Sequence, residues 1–392
     1  MAHTTLLQRL LTAAAMAEEP ETFPPSILQS LSETQPQQKL SRRAFLGQSG
    51  MALGGGLASF LPRPLAAATA PRIAIIGGGL AGLACAYQLR KAGLRATIYE
   101  AADRFGGRCL TLRDHFADGQ MVEQGGELID DGHTAIIQLV RELGLRLDNL
   151  KLAVPRGTQP CFSFDGVPYT FAEASRDIKA VAPKMFRDLR QAGYPTLHNR
   201  FTRRGRELDE MSIADWITAS VPGGGQSRLG RLLDVAYNIE YGAETREQSA
   251  LNLLYLMGGV PQSPLRLFGK SNEKYHIRGG NDLLVTRLVA LLREQIELGH
   301  ALTAIQRKAS GGYELTLQMG GGTRTVQADH VVLALPFTVL REAVDYRQAG
   351  FSTLKQTAIR ELAMGTNAKM HVQFSCRHWH TLGFDGESYA DT

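Results

Sequence analysis

Three groups of residues between Arg72 and Cys109 have types and spacing suited to one piece of chemistry. Gly77, Gly79 and Gly82 stand as G-x-G-x-x-G. Glu100 follows roughly 20 residues on, and Gly106-Gly107-Arg108 comes next. A glycine at 77 allows a tight turn, one at 79 lets backbone approach a pyrophosphate, and one at 82 lets a helix pack closely on a sheet. Leu80 and Ala81 open that helix, whose first N–H groups and partial positive charge suit a phosphate. Glu100 can accept hydrogen bonds from a ribose hydroxyl. The order therefore matches the two halves of a dinucleotide, pyrophosphate at the turn and ribose at the acid.

Only a strand–turn–helix–strand unit can hold these groups in place. Arg72-Ile73-Ala74-Ile75-Ile76 is an apolar run of the kind buried on both faces of a sheet. A helix-patterned segment follows the glycines and ends at Gly93, and a second strand, Ala96 to Tyr99, delivers Glu100. With 392 residues and 44% hydrophobic content, the chain can bury a large core in two domains. Its formal charge of +5 comes without a basic block interleaved with aromatics, so nucleic acid is not an expected partner. Four cysteines over this length do not make a disulfide framework. Cys85 reads as a small core residue, and spacing leaves a Cys161–Cys376 pair open. No metal site is expected.

Glu100-Ala101 followed by Gly106-Gly107-Arg108 resembles the flavin amine oxidase superfamily, which includes monoamine, polyamine and L-amino-acid oxidases. Phytoene desaturases and protoporphyrinogen oxidases share the motif. The resemblance implies FAD as cofactor, with Arg108 near its phosphates, where a planar charged fork suits. It implies an α/β fold: a Rossmann-like FAD-binding domain of the glutathione-reductase/hydroxybenzoate-hydroxylase type, with an interleaved α+β substrate domain.

Further segments resemble the same family. Met121 to Ile129 is similar to its second glycine pair, which places Gly125, Gly126, Glu127 and Leu128 beside the flavin ring. Glycine is expected there because a Cβ would collide with the cofactor. Asp131 is then expected to cap a helix carrying Ile136, Ile137, Val140 and Leu143 and stopped by Gly144. Arg278-Gly279-Gly280-Asn281 matches the family's glycine turn, with Asn281 as the cap of the next helix. Leu302 corresponds to its adenine-contacting aliphatic position, and Asp329 to Pro336 reads as a buried strand ending at the cofactor. Lys369 corresponds to a lysine that holds a water beside flavin N5, a cation suited to stabilising the anionic reduced flavin. An alternating strand, Met370 to Phe374, is expected after it.

The resulting division gives 71–130 and 271–343 to the FAD-binding domain and 131–270 and 344–392 to the substrate domain, with 150–269 mainly helical. Tyr237, Glu240 and Tyr241 either line an amine pocket or serve as ordinary helix packing. The implied reaction takes a hydride equivalent from the C–H next to a neutral amine onto the flavin. The imine then hydrolyses, and oxygen is reduced to hydrogen peroxide. L-Amino-acid oxidation is the alternative. Some amino-acid oxidases place an arginine for the substrate carboxylate just after the second glycine pair, where this chain has Leu128, so amine oxidation ranks first. Family members continue with a third cofactor segment, whereas this sequence stops at Asp391-Thr392. The expectation is a C-terminally incomplete flavoprotein that holds FAD weakly, with a truncated non-catalytic fragment as a further alternative. A homodimer stays open.

Ser41-Arg42-Arg43-Ala44-Phe45-Leu46, within 41–70, looks like a twin-arginine signal. The run from Gly47 to Leu61 is too short and glycine-rich to span a membrane, which needs about 20 apolar residues. Cleavage is expected after Ala68. The expected partner is the twin-arginine export machinery and the expected location is the periplasm or the exterior of a bacterium. Residues 1–40 read as a disordered or extended leader.

Overall fold

The computed structural model describes residues 70–391, so the twin-arginine segment through position 69 lies outside the described residues. The chain begins with β1 (Ile73–Ile76), α1 (Leu80–Lys91), β2 (Ala96–Tyr99), β3 (Thr111–Leu112), β4 (Val122–Glu123), α2 (Thr134–Glu142) and β5 (Leu147–Asn149). A hairpin, β6 (Gln159–Phe164) and β7 (Val167–Tyr169), leads into α3 (Phe171–Ala192), α4 (Arg203–Asp209), α5 (Ile213–Ser220), α6 (Arg228–Tyr241) and α7 (Ala250–Met257). The chain returns through β8 (Tyr275–Ile277), α8 (Leu283–Leu292), β9 (Ile296–Glu297), β10 (Ala301–Arg307), β11 (Tyr313–Met319), β12 (Gly322–Ala328) and β13 (His330–Leu333). It closes with α9 (Phe337–Ala343), α10 (Thr353–Glu361), α11 (His378–Thr381) and β14 (Phe384–Ala390).

The site rests on a parallel sheet ordered β13-β1-β2-β9. All four residues of β1 are buried, as its unbroken apolar run requires between two covered faces. Leu83, Ala86 and Leu89 of α1 pack on one face with Ile75, Ile98 and Leu288. The antiparallel meander β10-β11-β12 covers the other, where Ile76 and Tyr99 meet Leu302, Leu315 and Leu317. This is the α/β architecture expected from the glycine loop and its flanking strands.

The second half is built on a separate apolar core of Trp216, Leu232, Leu254 and Met257. It is less purely helical than expected, because β6 and β7 join β14 in a three-stranded sheet. Two stretches assigned by sequence to this half pack on the cofactor half instead. Ile137 and Val140 of α2 meet Ile277 and Leu284, while Val344, Ala349 and Ile359 meet the meander.

Three local expectations are corrected. Asp131 does not cap α2, which starts at Thr134 after His133 without a side-chain cap. Neighbouring Asp130 is committed elsewhere, accepting from the backbone of Asn272 and Glu273 and from Ser271 Oγ. Met370 to Phe374 has the alternation of a strand but forms none, because a strand exists only where its backbone is paired. Among the described residues no backbone–backbone hydrogen bond reaches that stretch, and Met370 is 86% exposed. All four cysteines are free, including Cys161 and Cys376.

Candidate cofactor site

A cavity of about 590 Å³ opens where β1, β2 and the segment after β13 end, a size suited to burying much of a ligand. Gly77, Gly79, Leu80, Ala81, Glu100, Ala101, Gly107, Arg108, Gly126, Glu127 and Leu128 line it, and Ala334 to Pro336 close it from β13. Gly82 and Gly125 support the wall without lining it. Leu302 does not reach the cavity: its side chain is 5% exposed and packs in the core under the meander.

The first glycine loop has the local geometry read from its sequence. Gly77 has φ +105°, and a Cβ there would lie 2.7 Å from the Ala334 carbonyl oxygen. A Cβ on Gly82 would come 2.0 Å from the Gly77 oxygen, so only glycine lets α1 pack this tightly on β1. At Gly79 nothing lies within 4 Å of a built Cβ, so the backbone there faces open space. No side chain caps α1 and its first turn carries no acid, which leaves its N–H groups and dipole to an anion.

Glu100 is held at the end of β2 by N–H groups from Gly78 at 2.6 Å and Ala102 at 2.9 Å. Each carboxylate oxygen keeps a further lone pair for a hydroxyl. Gly106 donates to the Gly78 oxygen at 2.9 Å, which brings the second glycine motif beside the first. Arg108, exposed in the cavity wall, makes no hydrogen bond or ion pair among the described residues. An uncapped helix start, an unpartnered guanidinium, a fixed carboxylate and glycines facing open space fit a dinucleotide with pyrophosphate and ribose, as FAD has.

The second glycine pair follows a different logic from the one expected. A Cβ on Gly125 would come 1.7 Å from the Arg108 carbonyl oxygen, so its collision is with the protein's own backbone. Gly126 has nothing within 4 Å and is the member of the pair that faces open space.

Beneath this segment sits Glu123, 1% exposed and missed in the sequence reading. It accepts from Thr111 Oγ1 at 2.9 Å, His276 Nε2 at 2.8 Å and the Asn281 N–H at 2.8 Å. Burial pushes the Glu123 carboxyl up, but the hydrogen bonds from His276, Asn281 and Thr111 together outweigh it and leave it below the usual carboxylate range. Asn281 does not cap α8. Its Oδ1 accepts from Ile277 N–H, and its Nδ2 donates to the carbonyls of Gly126 at 3.1 Å and Glu127 at 2.7 Å. The only sequence signal for this network was one acid just before the glycine pair.

Lys369, more than 240 residues downstream of Glu123, is brought to the same segment. Its Nζ donates to the carbonyls of Glu123 and Gly125, each at 3.0 Å, and pairs with Glu127 Oε2 at 2.7 Å. Cys109 lines the cavity, but burial, aided by Glu123 and Asp282, pushes its thiol up to about 11, so it stays protonated. Tyr237 is packing: it is fully buried, with its hydroxyl 3.0 Å from the Leu267 carbonyl. Glu240 and Tyr241 follow it at the exposed end of α6. Among the described residues there is no cluster that could hold a metal ion and no helix long and apolar enough to cross a membrane.

Comparison with known proteins gives the same answer from a different direction. The profile of the family described as flavin containing amine oxidoreductase matches residues 80–392. The flavin-dependent L-tryptophan oxidase RebO of Lentzea aerocolonigenes is 28% identical over 349 residues, which is 80% of this chain and 68% of RebO. Nicotine dehydrogenase of Pseudomonas putida is 26% identical over 87% of this chain and 70% of its own. Among solved structures, cyclohexylamine oxidase from Brevibacterium oxydans superposes with a TM-score of 0.64 at 20% identity, covering 82% of this chain and 70% of that one. The loop, acid and arginine around the cavity together with the family match establish that this chain belongs to the flavin-containing amine oxidoreductases, with FAD as cofactor and oxidation of an amine as reaction.

Proposed function

We propose that the substrate is an amine without a carboxylate next to the reacting carbon, in preference to an L-amino acid. The observation that carries this is Leu128, which presents an apolar side chain, 36% exposed, at the cavity just past the second glycine pair. A substrate carboxylate would need a cation there. The nearby cation, Lys369, already has its protons on two carbonyls and Glu127.

In this reading the α1 N-terminus and Arg108 hold the cofactor's phosphates and Glu100 its ribose. When bound, FAD would supply the acceptor for the hydride equivalent lost from the C–H beside the amine nitrogen. Leu128 supplies an apolar wall, which favours the neutral amine that can donate. Lys369 keeps a fixed positive charge at the Gly125 backbone, where it favours negative charge developing during turnover. Oxygen is the electron acceptor.

We also propose that the chain is exported folded through the twin-arginine route, supported by Arg42-Arg43 ahead of a weakly apolar run. This suits a protein that must load a large noncovalent cofactor before leaving the cytoplasm.

The test is a peroxide assay on the full chain loaded with FAD, using amines and the matching L-amino acids. Amines should turn over faster; a consistent preference for the amino acids would sink the amine reading. Changing Arg42 and Arg43 to lysine in a reporter fusion should block export.

A further inference from the structure

The loop between α3 and α4, far along the chain from the cofactor loops, holds large apolar side chains out in water. Tyr194, Leu197 and Phe201 are 59%, 39% and 46% exposed. Hydrogen bonds fix this loop at its tip, its base and its far end. Leu197 and Arg200 exchange backbone hydrogen bonds at 2.9 and 3.2 Å. Tyr255 of α7 donates its hydroxyl proton to the Gly193 carbonyl at 2.8 Å and lies 2.6 Å from Thr196 Oγ1. Thr202 Oγ1 accepts from the Gly205 N–H and donates to the Gln191 carbonyl, which ties the start of α4 to the end of α3.

Free charge around the tip has one sign. Between Arg187 and Arg206 there are six arginines and one acid, Asp188, which is buried. Arg203 and Arg204 pair with Glu207, and Arg206 pairs with Glu210. Arg187, Arg190 and Arg200 are exposed and make no side-chain hydrogen bond or ion pair among the described residues. Arg187 and Arg190, three residues apart, share a face of α3. Beneath the tip, Tyr255 packs edge-on against Tyr194, and the chain from Gln248 to Asn272 has no Asp or Glu. One turn back on α3, Pro183 and Phe186 line a shallow apolar recess with Val260 and Pro261.

We propose that the loop from Tyr194 to Phe201, with Arg187 and Arg190 beside it, is a docking surface for an anionic phospholipid bilayer. Tyr194, Leu197 and Phe201 supply apolar bodies of the kind that settle at headgroup depth. The free guanidinium groups of Arg187, Arg190 and Arg200 supply planar forks that bond phosphate, and a negative surface attracts them. The contact is peripheral: a few side chains enter the headgroup layer while the rest of the molecule stays in water.

Tryptophan fluorescence of the full chain carrying Leu197→Trp reads the tip itself, against the unaltered chain as background. Vesicles of phosphatidylcholine and phosphatidylglycerol, mixed two to one, should move the emission to shorter wavelength. Phosphatidylcholine alone should not, and about 1 M salt, with a screening length near 3 Å, should reverse the shift. Adding Arg187→Gln, Arg190→Gln and Arg200→Gln should raise the lipid needed for half the shift about a hundredfold, roughly fivefold for each arginine. Arg141→Gln, Arg287→Gln and Arg293→Gln together remove the same charge from exposed positions of the cofactor half and should leave it within about twofold. No shift with the anionic vesicles overturns the proposal, as does an equal shift with phosphatidylcholine alone. Equal losses in the two triple variants would assign the binding to the net charge of the chain and overturn the patch. A shift that follows the concentration of the protein, without lipid, would make the tip a contact between copies and overturn the membrane reading.

Discussion

Each half of the molecule buries one well-satisfied carboxylate, and the two are used differently. Asp188 on α3, 4% exposed, accepts from Trp216 Nε1 at 2.9 Å, Lys184 Nζ at 3.0 Å and Arg204 Nη2 at 2.8 Å. Those bonds tie α3, α4 and α5 together around an apolar core. Glu123, also buried, ties β3, β4, β8 and the turn before α8, but one bond further on lies the cofactor cavity through Asn281. In both cases burial pushes the carboxyl up and hydrogen bonds bring it below the usual range. The same physics produces a structural staple in one half and a positioning device in the other. What distinguishes them is the next neighbour, which is packed side chains for Asp188 and open backbone for Glu123.

Breaking the structural staple should have the largest effect. Asp188→Ala leaves the Trp216 N–H, Lys184 and Arg204 without their acceptor, and should cost about 4 kcal/mol in urea unfolding. FAD affinity of the molecules that remain folded should not change. The sign of its pH dependence follows from the lowered carboxyl. Asp188 contributes stability above its unfolded value near 4, and that contribution is lost as pH falls through the lower folded value. The alanine variant should lack this part of the acid slope.

A smaller but more diagnostic effect is expected at the glycine pair. Gly125→Ala forces a Cβ to within 1.7 Å of the Arg108 oxygen and should cost about 3 kcal/mol, seen as a lower unfolding midpoint without cofactor. Gly126→Ala meets open space and should change that midpoint by less than about 0.5 kcal/mol while weakening FAD. If both alanines were equally destabilising, the distinction between a backbone-facing and a cavity-facing glycine would fail.

Glu123→Gln keeps the shape but turns an acceptor into a partial donor against His276, Thr111 and the Asn281 N–H. A loss of about 2 kcal/mol is expected, and unlike Asp188→Ala it should weaken FAD binding in the folded protein. A change in stability alone would put Glu123 in the same class as Asp188.

Lys369→Met should have only a small effect on folding, within about 1 kcal/mol, because the ion pair to Glu127 is partly exposed. Its effect should appear when anaerobically reduced, FAD-loaded protein meets oxygen, as slower reoxidation in stopped flow. Unchanged oxygen kinetics would remove Lys369 from the mechanism.

Much of the cofactor half was legible because its signals are local. Gly77, Gly82, Glu100 and Arg108 act through turns and strand ends within one supersecondary unit, where spacing along the chain is spacing in the molecule. The network below the second glycine pair was not legible for the opposite reason. His276 and Asn281 each lie more than 150 residues from Glu123. Asn281 at a glycine turn reads locally as a helix cap and becomes a staple only once Gly126 and Glu127 are beside it. Met370 to Phe374 shows the converse, since an alternating pattern cannot make a strand without a paired backbone.

By itself, the sequence determined that a glycine loop, a strand-end acid and an arginine would come together at one cavity, because backbone geometry and helix electrostatics dictate those residue types locally. Only the tertiary structure decided that Gly125 faces Arg108 while Gly126 faces the cavity, that Leu302 packs inside, and that Lys369 and Asn281 grip the same segment. Those outcomes depend on which distant backbone comes within hydrogen-bond distance, and local spacing does not encode that.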